Sequence, residues 1–315
     1  MGTSEATNTP PAGATFLDSP VEVIPSRVEA DFAFVGIPYG VPYEMSDVCP
    51  PAATAPAAIR QVCRDQGMRE EIDMLGFDFD LGRPLFAGTP PRIVDCGDVP
   101  GSPHDIVGNE ERATRAVRAI LTAGAVPLVI GGDHSIPPFV VAAYHDRGPI
   151  DVLQIDAHLD GREERLGVRG GYSSPMWRLR EMPWVRGIVQ VGLRGTGFSR
   201  QQEVDHALAA GNLLVTAYEV HERGVDWIVE RFQDGADYYI TLDVDGLDPA
   251  CAPGTDAVLP GGLTYLQTLG LLRGLAAKGR VVGIDVCEFY PSLDVNQLTA
   301  LTIARLLVNV IGLAQ

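Results

Sequence analysis

Three short segments of the sequence combine aspartate and histidine at spacings that suit metal binding, and each directly follows an apolar run. The segments are GGDHS at 131–135, DAHLD at 156–160 and DVDGLDP at 243–249. The apolar runs are 126–130, 152–155 and 238–242, which have the length of buried strands. Since the carboxyl ends of parallel strands lie at the same edge of an α/β sheet, we expect the three segments to meet there.

The spacing inside the second segment directs three ligand-type side chains to one place. Asp156, His158 and Asp160 are two residues apart, so on an extended chain their side chains point to the same side. Asp243 and Asp245 in the third segment have the same spacing. We therefore expect ligands from different strand ends to converge.

The chemistry of these ligands favours a pair of first-row divalent ions. Four carboxylates and two imidazoles, without a thiolate, suit manganese better than a structural zinc. Nickel remains an alternative because this ligand set does not separate it from manganese. Six ligands are enough for two ions if two aspartates bridge them. The candidate ligands are His134, Asp156, His158, Asp160, Asp243 and Asp245.

Each segment alone also has a simpler interpretation. The second segment could be a solvated strand end, and the other two could be turns whose aspartates cap helices. The three together are harder to explain in this way, because burying carboxylates at strand ends without a cation is costly. The combination therefore predicts a two-metal centre.

These segments resemble the signature motifs of the ureohydrolase family, which includes arginases, agmatinases and related amidinohydrolases. Five further segments are similar to the family pattern and follow the family's order. They are FVGIP at 34–38, APAAIR at 55–60, DCGD at 95–98, APGT at 252–255 and DVCE at 285–288. The resemblance thus covers the chain from about residue 30 to the C-terminus.

The resemblance implies how the ligands are shared between the ions. One metal would be held by His134, Asp156, Asp160 and Asp243, and the other by His158, Asp156, Asp243 and Asp245. Asp156 and Asp243 would be the bridging ligands. In this family a hydroxide between the ions attacks the guanidinium carbon of the substrate, and urea and an amine are released. Two ions about 3.5 to 4 Å apart lower the pKa of such a bridging water.

The resemblance also implies two catalytic side chains. A guanidinium stays protonated up to a pKa of about 12.5 and is a poor electrophile, so it has to be oriented for attack. Glu288 would pair with the guanidinium and orient it. Asp160 would pass a proton to the departing amine.

The sequence departs from the family pattern in the loop after the second segment. Many ureohydrolases have a histidine there, whereas this chain has GYSSPMW at 171–177. Proton transfer would then run through Asp160 and water, or with help from Tyr172, or the substrate is neither arginine nor agmatine. The predicted substrate contacts are Tyr172, Ser173, Ser174, Met176 and Trp177 in this loop and Tyr43 after the first strand.

The leading functional hypothesis is a metal-dependent amidinohydrolase, similar to agmatinase or guanidinobutyrase, that acts on a small cationic guanidino compound. A substituted guanidine or a biguanide is an alternative substrate. One alternative, suggested by the missing loop histidine, is a catalytic or assisting subunit of a hetero-oligomeric ureohydrolase. Another is an amide deacetylase with a related fold, which is disfavoured because such enzymes use one zinc and His158 and Asp245 are both present. The resemblance implies a homotrimer or hexamer.

Composition excludes several other classes of protein. The formal net charge of −17 and the pI of about 4.7 argue against a nucleic-acid partner or an anionic membrane surface. No uncharged apolar run is long enough to span a membrane.

Five cysteines without CxxC spacing predict reduced thiols in a cytoplasmic protein. Residues 1–20 lack a signal-peptide pattern, so we predict a flexible arm over 1–28 and a single catalytic domain over 29–315.

Eight strand patterns alternate with helical patterns along this domain. The strands are predicted at 31–38, 93–98, 126–131, 150–157, 187–194, 212–217, 237–243 and 280–286. The helices are predicted at 56–66, 106–123, 136–146, 174–181, 199–210, 223–233, 264–278 and 296–313. Near-continuous Val, Ile and Leu in the strands indicate a parallel sheet buried on both faces.

Eight β/α units would equally permit a closed barrel. The resemblance favours the open, three-layer α/β/α arginase-type fold with a central, mostly parallel eight-stranded sheet. Residues 69–88 show no clear period, and we predict a surface loop or an assembly contact there.

Overall fold

A sheet of eight parallel strands forms the centre of the protein in a computed structural model, which describes residues 8–24, 28–44, 47, 50–73, 76–86, 88–196 and 198–314. The strands in chain order are β1 (Phe32–Ile37), β2 (Phe77–Asp78), β3 (Arg83–Pro84), β4 (Ile93–Asp98), β5 (Val126–Gly131), β6 (Ile150–Ile155), β7 (Val185–Leu193), β8 (Leu213–Thr216), β9 (Asp237–Asp243) and β10 (Arg280–Cys287). The order across the sheet is β4-β1-β5-β10-β9-β6-β7-β8, and β2 and β3 form a separate antiparallel pair.

Helices cover both faces of this sheet. They are α1 (Ala55–Asp65), α2 (Met68–Asp73), α3 (Ile106–Thr122), α4 (Pro137–Val141), α5 (Pro175–Arg180), α6 (Gln201–Ala209), α7 (Ala217–Arg223), α8 (Val225–Val229), α9 (Tyr265–Lys278) and α10 (Leu298–Leu313). Side chains of β1 alternate between two cores: Phe34 packs with α1, α9 and α10, whereas Val35 packs with α3, α4 and α5. The predicted three-layer fold is confirmed, and the sheet is open because β4 and β8 are its edges.

All eight predicted strands are present, with ends within two residues of the predicted ones. The helices differ more. The predicted helix 136–146 is α4 followed by a 3₁₀ turn at Ala142–Tyr144, and the predicted helix 223–233 is only α8. Sequence analysis missed α7, which follows a capping box between Thr216 and Glu219 and ends just before Gly224, where φ is +77°. In the region 69–88, α2 and the β2–β3 hairpin are too short to produce a period.

The N-terminal segment differs from the predicted flexible arm over residues 8–24. Phe16 and Leu17 are fully buried in the core, and Phe16 stacks on Phe34 with 4.7 Å between ring centroids. The backbone of Thr9 exchanges two 2.8 Å hydrogen bonds with that of Asp98 at the end of β4. These contacts make residues 8–24 part of the packed domain, while the boundary itself stays a prediction.

Two further features bear on the sequence predictions. No helix in the described residues is both long and apolar enough to cross a membrane. Cys63, Cys96, Cys251 and Cys287 are free thiols, and Cys49 lies outside the described residues.

A buried ion pair fastens the N-terminal segment to the sheet. Arg60 of α1 is 2% exposed and donates to both carboxylate oxygens of Asp95, at 2.8 and 2.9 Å, and to Asp98 at 2.8 Å. The same Asp95 carboxylate accepts a 2.8 Å hydrogen bond from the backbone N–H of Phe16. Arg60 therefore links α1, β4 and the N-terminal segment.

We expect Arg60→Met to lower the free energy of unfolding by about 3 to 5 kcal/mol, because the substitution leaves buried Asp95 without its cation. Arg64→Met is the matched control, since Arg64 lies on the same helix and forms an exposed pair with Asp18; its effect should be about 1 kcal/mol or less. Urea unfolding followed by circular dichroism measures both. Equal effects of the two substitutions would contradict this role of Arg60.

Candidate metal centre

The six predicted ligands come from the carboxyl ends of strands that lie close together in the sheet. His134 follows β5, the 156–160 segment follows β6, and Asp243 ends β9. These strands and β10 are adjacent in the order β5-β10-β9-β6. Gly246 permits the close approach of two of these loops, because a Cβ there would lie 2.6 Å from the backbone nitrogen of Asp156.

The first ligand group surrounds one nitrogen of His134. Its Nδ1 lies 2.9 Å from Asp160 Oδ2, 3.1 Å from Asp156 Oδ2 and 3.3 Å from Asp243 Oδ2. These four side chains present ligand atoms that all lie within 4.8 Å of one another. The group has the same members as the set predicted for one metal.

The second ligand group is built around His158. Its Nδ1 lies 2.9 Å from Asp245 Oδ2 and 3.6 Å from Asp156 Oδ1. Asp156 thus directs one oxygen to each group, as a bridging ligand would. Asp243 belongs only to the first group in this geometry, so its bridging role stays a prediction.

The electrostatics of the two groups suit cations. Asp156, Asp243 and Asp245 are at most 3% exposed. Burial and the nearby carboxylates raise the pKa of Asp243 well above its usual value, and burial together with Asp156 raises the pKa of Asp160 to about 7. Two divalent cations would balance the four aspartates, and all the ligand atoms are oxygen or imidazole nitrogen. The residues therefore fit a pair of divalent metal ions.

A hydrogen-bond chain behind His134 sets which of its nitrogens faces the ligand group. His134 Nε2 lies 2.9 Å from Thr241 Oγ1, which donates a 2.7 Å hydrogen bond to Asp285. Because the single hydroxyl hydrogen of Thr241 points to Asp285, its oxygen accepts a hydrogen bond from the Nε2–H of His134. Neutral His134 then keeps its Nδ1 lone pair free for a metal.

We expect Thr241→Val, which keeps the shape but removes the hydroxyl, to weaken binding of the first metal about 10- to 100-fold. Calorimetric titration of the metal-free protein with Mn²⁺ measures the affinity. Thr268→Val is the control, because Thr268 is also buried but bonds to the backbone of Thr264 within α9. Unchanged Mn²⁺ affinity in Thr241→Val would contradict this role.

A second hydrogen-bond chain holds Asp156 from the opposite side. Gln154 Nε2 donates to Asp156 Oδ2, and Gln190 Nε2 donates to Gln154 Oε1 at 2.6 Å. Asn212 donates to Gln190 at 2.9 Å, and Arg180 donates to Asn212 at 2.9 Å. Every donor points toward Asp156, so each amide has one orientation and the carboxylate is fixed. Sequence analysis missed this chain because its amides lie on β6, on β7 and just before β8 and belong to no motif.

The two predicted catalytic residues have unusual backbone conformations. Asp160 has φ +47° and Glu288 has φ +58°. Both values lie in the left-handed region, which residues other than glycine rarely adopt. Glu288 accepts hydrogen bonds from the backbone N–H of His134 at 2.8 Å and from Tyr290 at 3.0 Å. Burial raises the pKa of Glu288 well above its usual value. Local strain at such positions is typical of functional sites.

A cavity of about 690 Å³ opens onto both ligand groups. His134, His158, Asp160, Asp243, Asp245 and Glu288 line it, and so do two of the predicted substrate contacts, Tyr172 and Ser173. Burial raises the pKa of Tyr172, whose hydroxyl accepts a 3.1 Å hydrogen bond from Arg165. Tyr172 is therefore neutral at physiological pH and does not act as an ionised base.

The other predicted substrate contacts do not line the cavity. Tyr43 lies behind its wall, where its hydroxyl accepts a hydrogen bond from the backbone N–H of Ser173. Ser174 is fully buried, and Met176 packs in the core because it lies on the inward face of α5. Trp177 stacks on His206 at 3.8 Å between ring centroids.

Sequence analysis also missed residues that do line the cavity. They come from loops far apart in the sequence and belong to no motif, so no sequence signal identifies them. Those with charged or aromatic side chains are Asp47, Arg162, Arg165, Phe198, Glu203, Asp256 and Tyr290.

Comparisons with known proteins agree with this geometry. The sequence model of the arginase family matches residues 30–312. The chain is 31% identical to mitochondrial agmatinase of Gallus gallus over 95% of this chain and 88% of that protein. It is 30% identical to mitochondrial guanidino acid hydrolase of Homo sapiens over 91% of this chain and 79% of that protein.

The fold is similar to that of proclavaminate amidino hydrolase from Streptomyces clavuligerus. The two structures superpose with a TM-score of 0.78 and 28% sequence identity, over 96% of each chain. The family match covers residues 30–312, and the fold accords with it. The chain therefore belongs to the arginase family.

Proposed function

We propose that this protein is a two-metal amidinohydrolase that hydrolyses a guanidino compound to urea and an amine. The observation that carries the proposal is that two ligand groups share Asp156 and open into the same cavity as the Glu288 carboxylate. Membership of the arginase family places the reaction among hydrolyses of C–N bonds in linear amidines.

The protein's own side chains bind and orient the substrate in this reaction. The Glu288 carboxylate accepts hydrogen bonds from the planar guanidinium and orients it in the cavity. Asp160, on the cavity wall, carries a proton to the departing amine. When bound, the divalent ions would supply an activated water as the nucleophile. His134, Asp156, Asp160 and Asp243 would hold one ion, and His158, Asp156, Asp243 and Asp245 the other.

Manganese is the proposed metal, with nickel as the alternative, since the oxygen and imidazole ligands accept both. We expect protein stripped by a chelator to lose urea release and to unfold at a lower temperature, because the metals bind only the folded state. Adding back Mn²⁺ or Ni²⁺ separately should restore both properties, and the better ion identifies the metal. Full activity in protein shown to be metal-free by elemental analysis would refute a metal-dependent mechanism.

We expect Asp160→Asn and His158→Ala each to lower kcat for urea release by at least about 1,000-fold, since each removes a ligand and Asp160 also transfers the proton. His206→Ala is the control, because His206 stacks on Trp177 outside the cavity. Metal content measured on the same samples separates loss of metal from loss of chemistry. Near-normal turnover in either variant would contradict the proposed roles of Asp160 and His158.

The ligand groups and Glu288 fit several classes of guanidino substrate. The relatives are named for agmatine and for guanidino acids, and substituted guanidines and biguanides also carry the reacting group. The complete ligand set supports a catalytic chain rather than an assisting subunit, and the presence of both His158 and Asp245 argues against a one-zinc deacetylase. We also propose a cytoplasmic location, which the free thiols support, and assembly as a homotrimer or hexamer.

A further inference from the structure

Arg165 is held in a fixed position at the cavity wall by a tight turn. Its backbone exchanges two hydrogen bonds with Val168, at 3.0 and 2.9 Å, which closes a two-residue turn through Leu166 and Gly167. Both turn residues have positive φ, +52° and +79°, as a type I′ turn requires. The turn therefore fixes the backbone from which the Arg165 side chain extends.

Two tyrosine rings hold the guanidinium of Arg165. Its Cζ lies 4.8 Å from the ring centroid of Tyr43 and 5.5 Å from that of Tyr172, and Nη1 donates a 3.1 Å hydrogen bond to the Tyr172 hydroxyl. The two rings pack edge to face at 4.7 Å, and Tyr43 is tied to the backbone of Ser173. Cation–π contacts position a guanidinium without neutralising its charge.

No carboxylate of the described residues forms an ion pair with Arg165. Within the described ranges, no Asp or Glu lies at ion-pair distance from it, and the Tyr172 hydroxyl uses only one of its five N–H donors. Arg162, the other arginine of the cavity, differs because its Nε lies 3.4 Å from Glu203 and it donates to the backbone of Phe198. Arg165 therefore brings a positioned cation to the cavity wall, without an ion-pair partner in the described part of the chain.

The cavity is thus charged oppositely in two regions. The region of the ligand groups and Glu288 is acidic and suits the guanidinium, whereas Arg165 lies beside Tyr172 on the loop that follows β6. Asp47 also lines this part, where its Oδ2 accepts hydrogen bonds from the backbone N–H groups of Tyr43 and Glu44 and forms no ion pair with Arg165. Burial raises the pKa of the Tyr172 hydroxyl. The charge of Arg165 lowers this pKa by more than the charge of Asp47 raises it.

We propose that Arg165 binds an anionic group at the far end of the substrate, so that the preferred substrate is an ω-guanidino carboxylate. This inference rests on the proposed amidinohydrolase function and narrows its substrate class. The free N–H groups of Arg165 match the two oxygens of a carboxylate, which a guanidinium binds in a bidentate manner. A substrate with an ammonium at that end, such as agmatine, would instead meet a like charge.

The test compares guanidinoacetate, 3-guanidinopropionate and 4-guanidinobutyrate with their neutral carboxamides and with agmatine, by kcat/KM for urea release. At the best chain length the wild-type protein should prefer the acid over its amide by at least about 10-fold. Arg165→Gln should lower this acid-to-amide ratio by about 10- to 100-fold, the range for loss of a charge-assisted bond. Arg165→Glu should shift the preference toward agmatine.

Arg169→Gln is the matched control, since Arg169 lies in the same loop but is exposed, pairs with Glu181 and does not line the cavity. Its acid-to-amide ratio should equal that of the wild type. A wild-type ratio near one, or the same ratio in Arg165→Gln, would overturn the inference and leave the amidinohydrolase function intact.

Absence of urea from every compound would instead count against the proposed function. Calorimetric binding of the same acids and amides then tests the anion site alone. Tighter binding of the acid that is lost in Arg165→Gln supports the site, and equal binding of acid and amide overturns it.

Discussion

The structure depends on one electrostatic constraint, which is the concentration of carboxylates at the carboxyl ends of neighbouring parallel strands. Asp156, Asp243 and Asp245 are nearly inaccessible to water, and an unpaired carboxylate in such a place is strongly destabilising. Cations at the same edge of the sheet can offset that cost for all of them together. The parallel topology meets this need because it brings the ends of β5, β6 and β9 to one edge. Helices on both faces then keep water away from the sheet that supports the site.

The supporting hydrogen bonds indicate that the site is organised before any ligand binds. Thr241 sets the tautomer of His134, and the amide chain that starts at Gln154 fixes Asp156. Strained backbone at Asp160 and Glu288 persists because the surrounding loops determine it. A preorganised site loses little free energy to rearrangement when the reaction begins. The surrounding fold therefore contributes to chemistry through residues that never touch the substrate.

Sequence patterns predicted the parts of the molecule that depend on local periodicity. The buried strands have continuous apolar runs, and the ligands follow them at fixed short spacings, so both could be identified without coordinates. Thr241, Gln154 and Arg165 could not, because their roles depend on contacts with His134, Gln190 and Tyr43, which lie far from them in the sequence. Met176 was predicted to contact the substrate but packs in the core, for a related reason. Proximity in sequence to a site loop does not decide which face of a short helix points to the core.

The same distinction explains why family membership defines the reaction more closely than the substrate. The end of the cavity that carries the ligand groups is built from motif residues whose spacing the strands impose. The other end is built where the loop after β1, with Tyr43, meets the loop after β6, with Tyr172 and Arg165. Loops tolerate sequence change that strand ends do not. A change in the charge held between the two tyrosines would therefore alter which substrates bind while leaving the metal ligands and Glu288 in place.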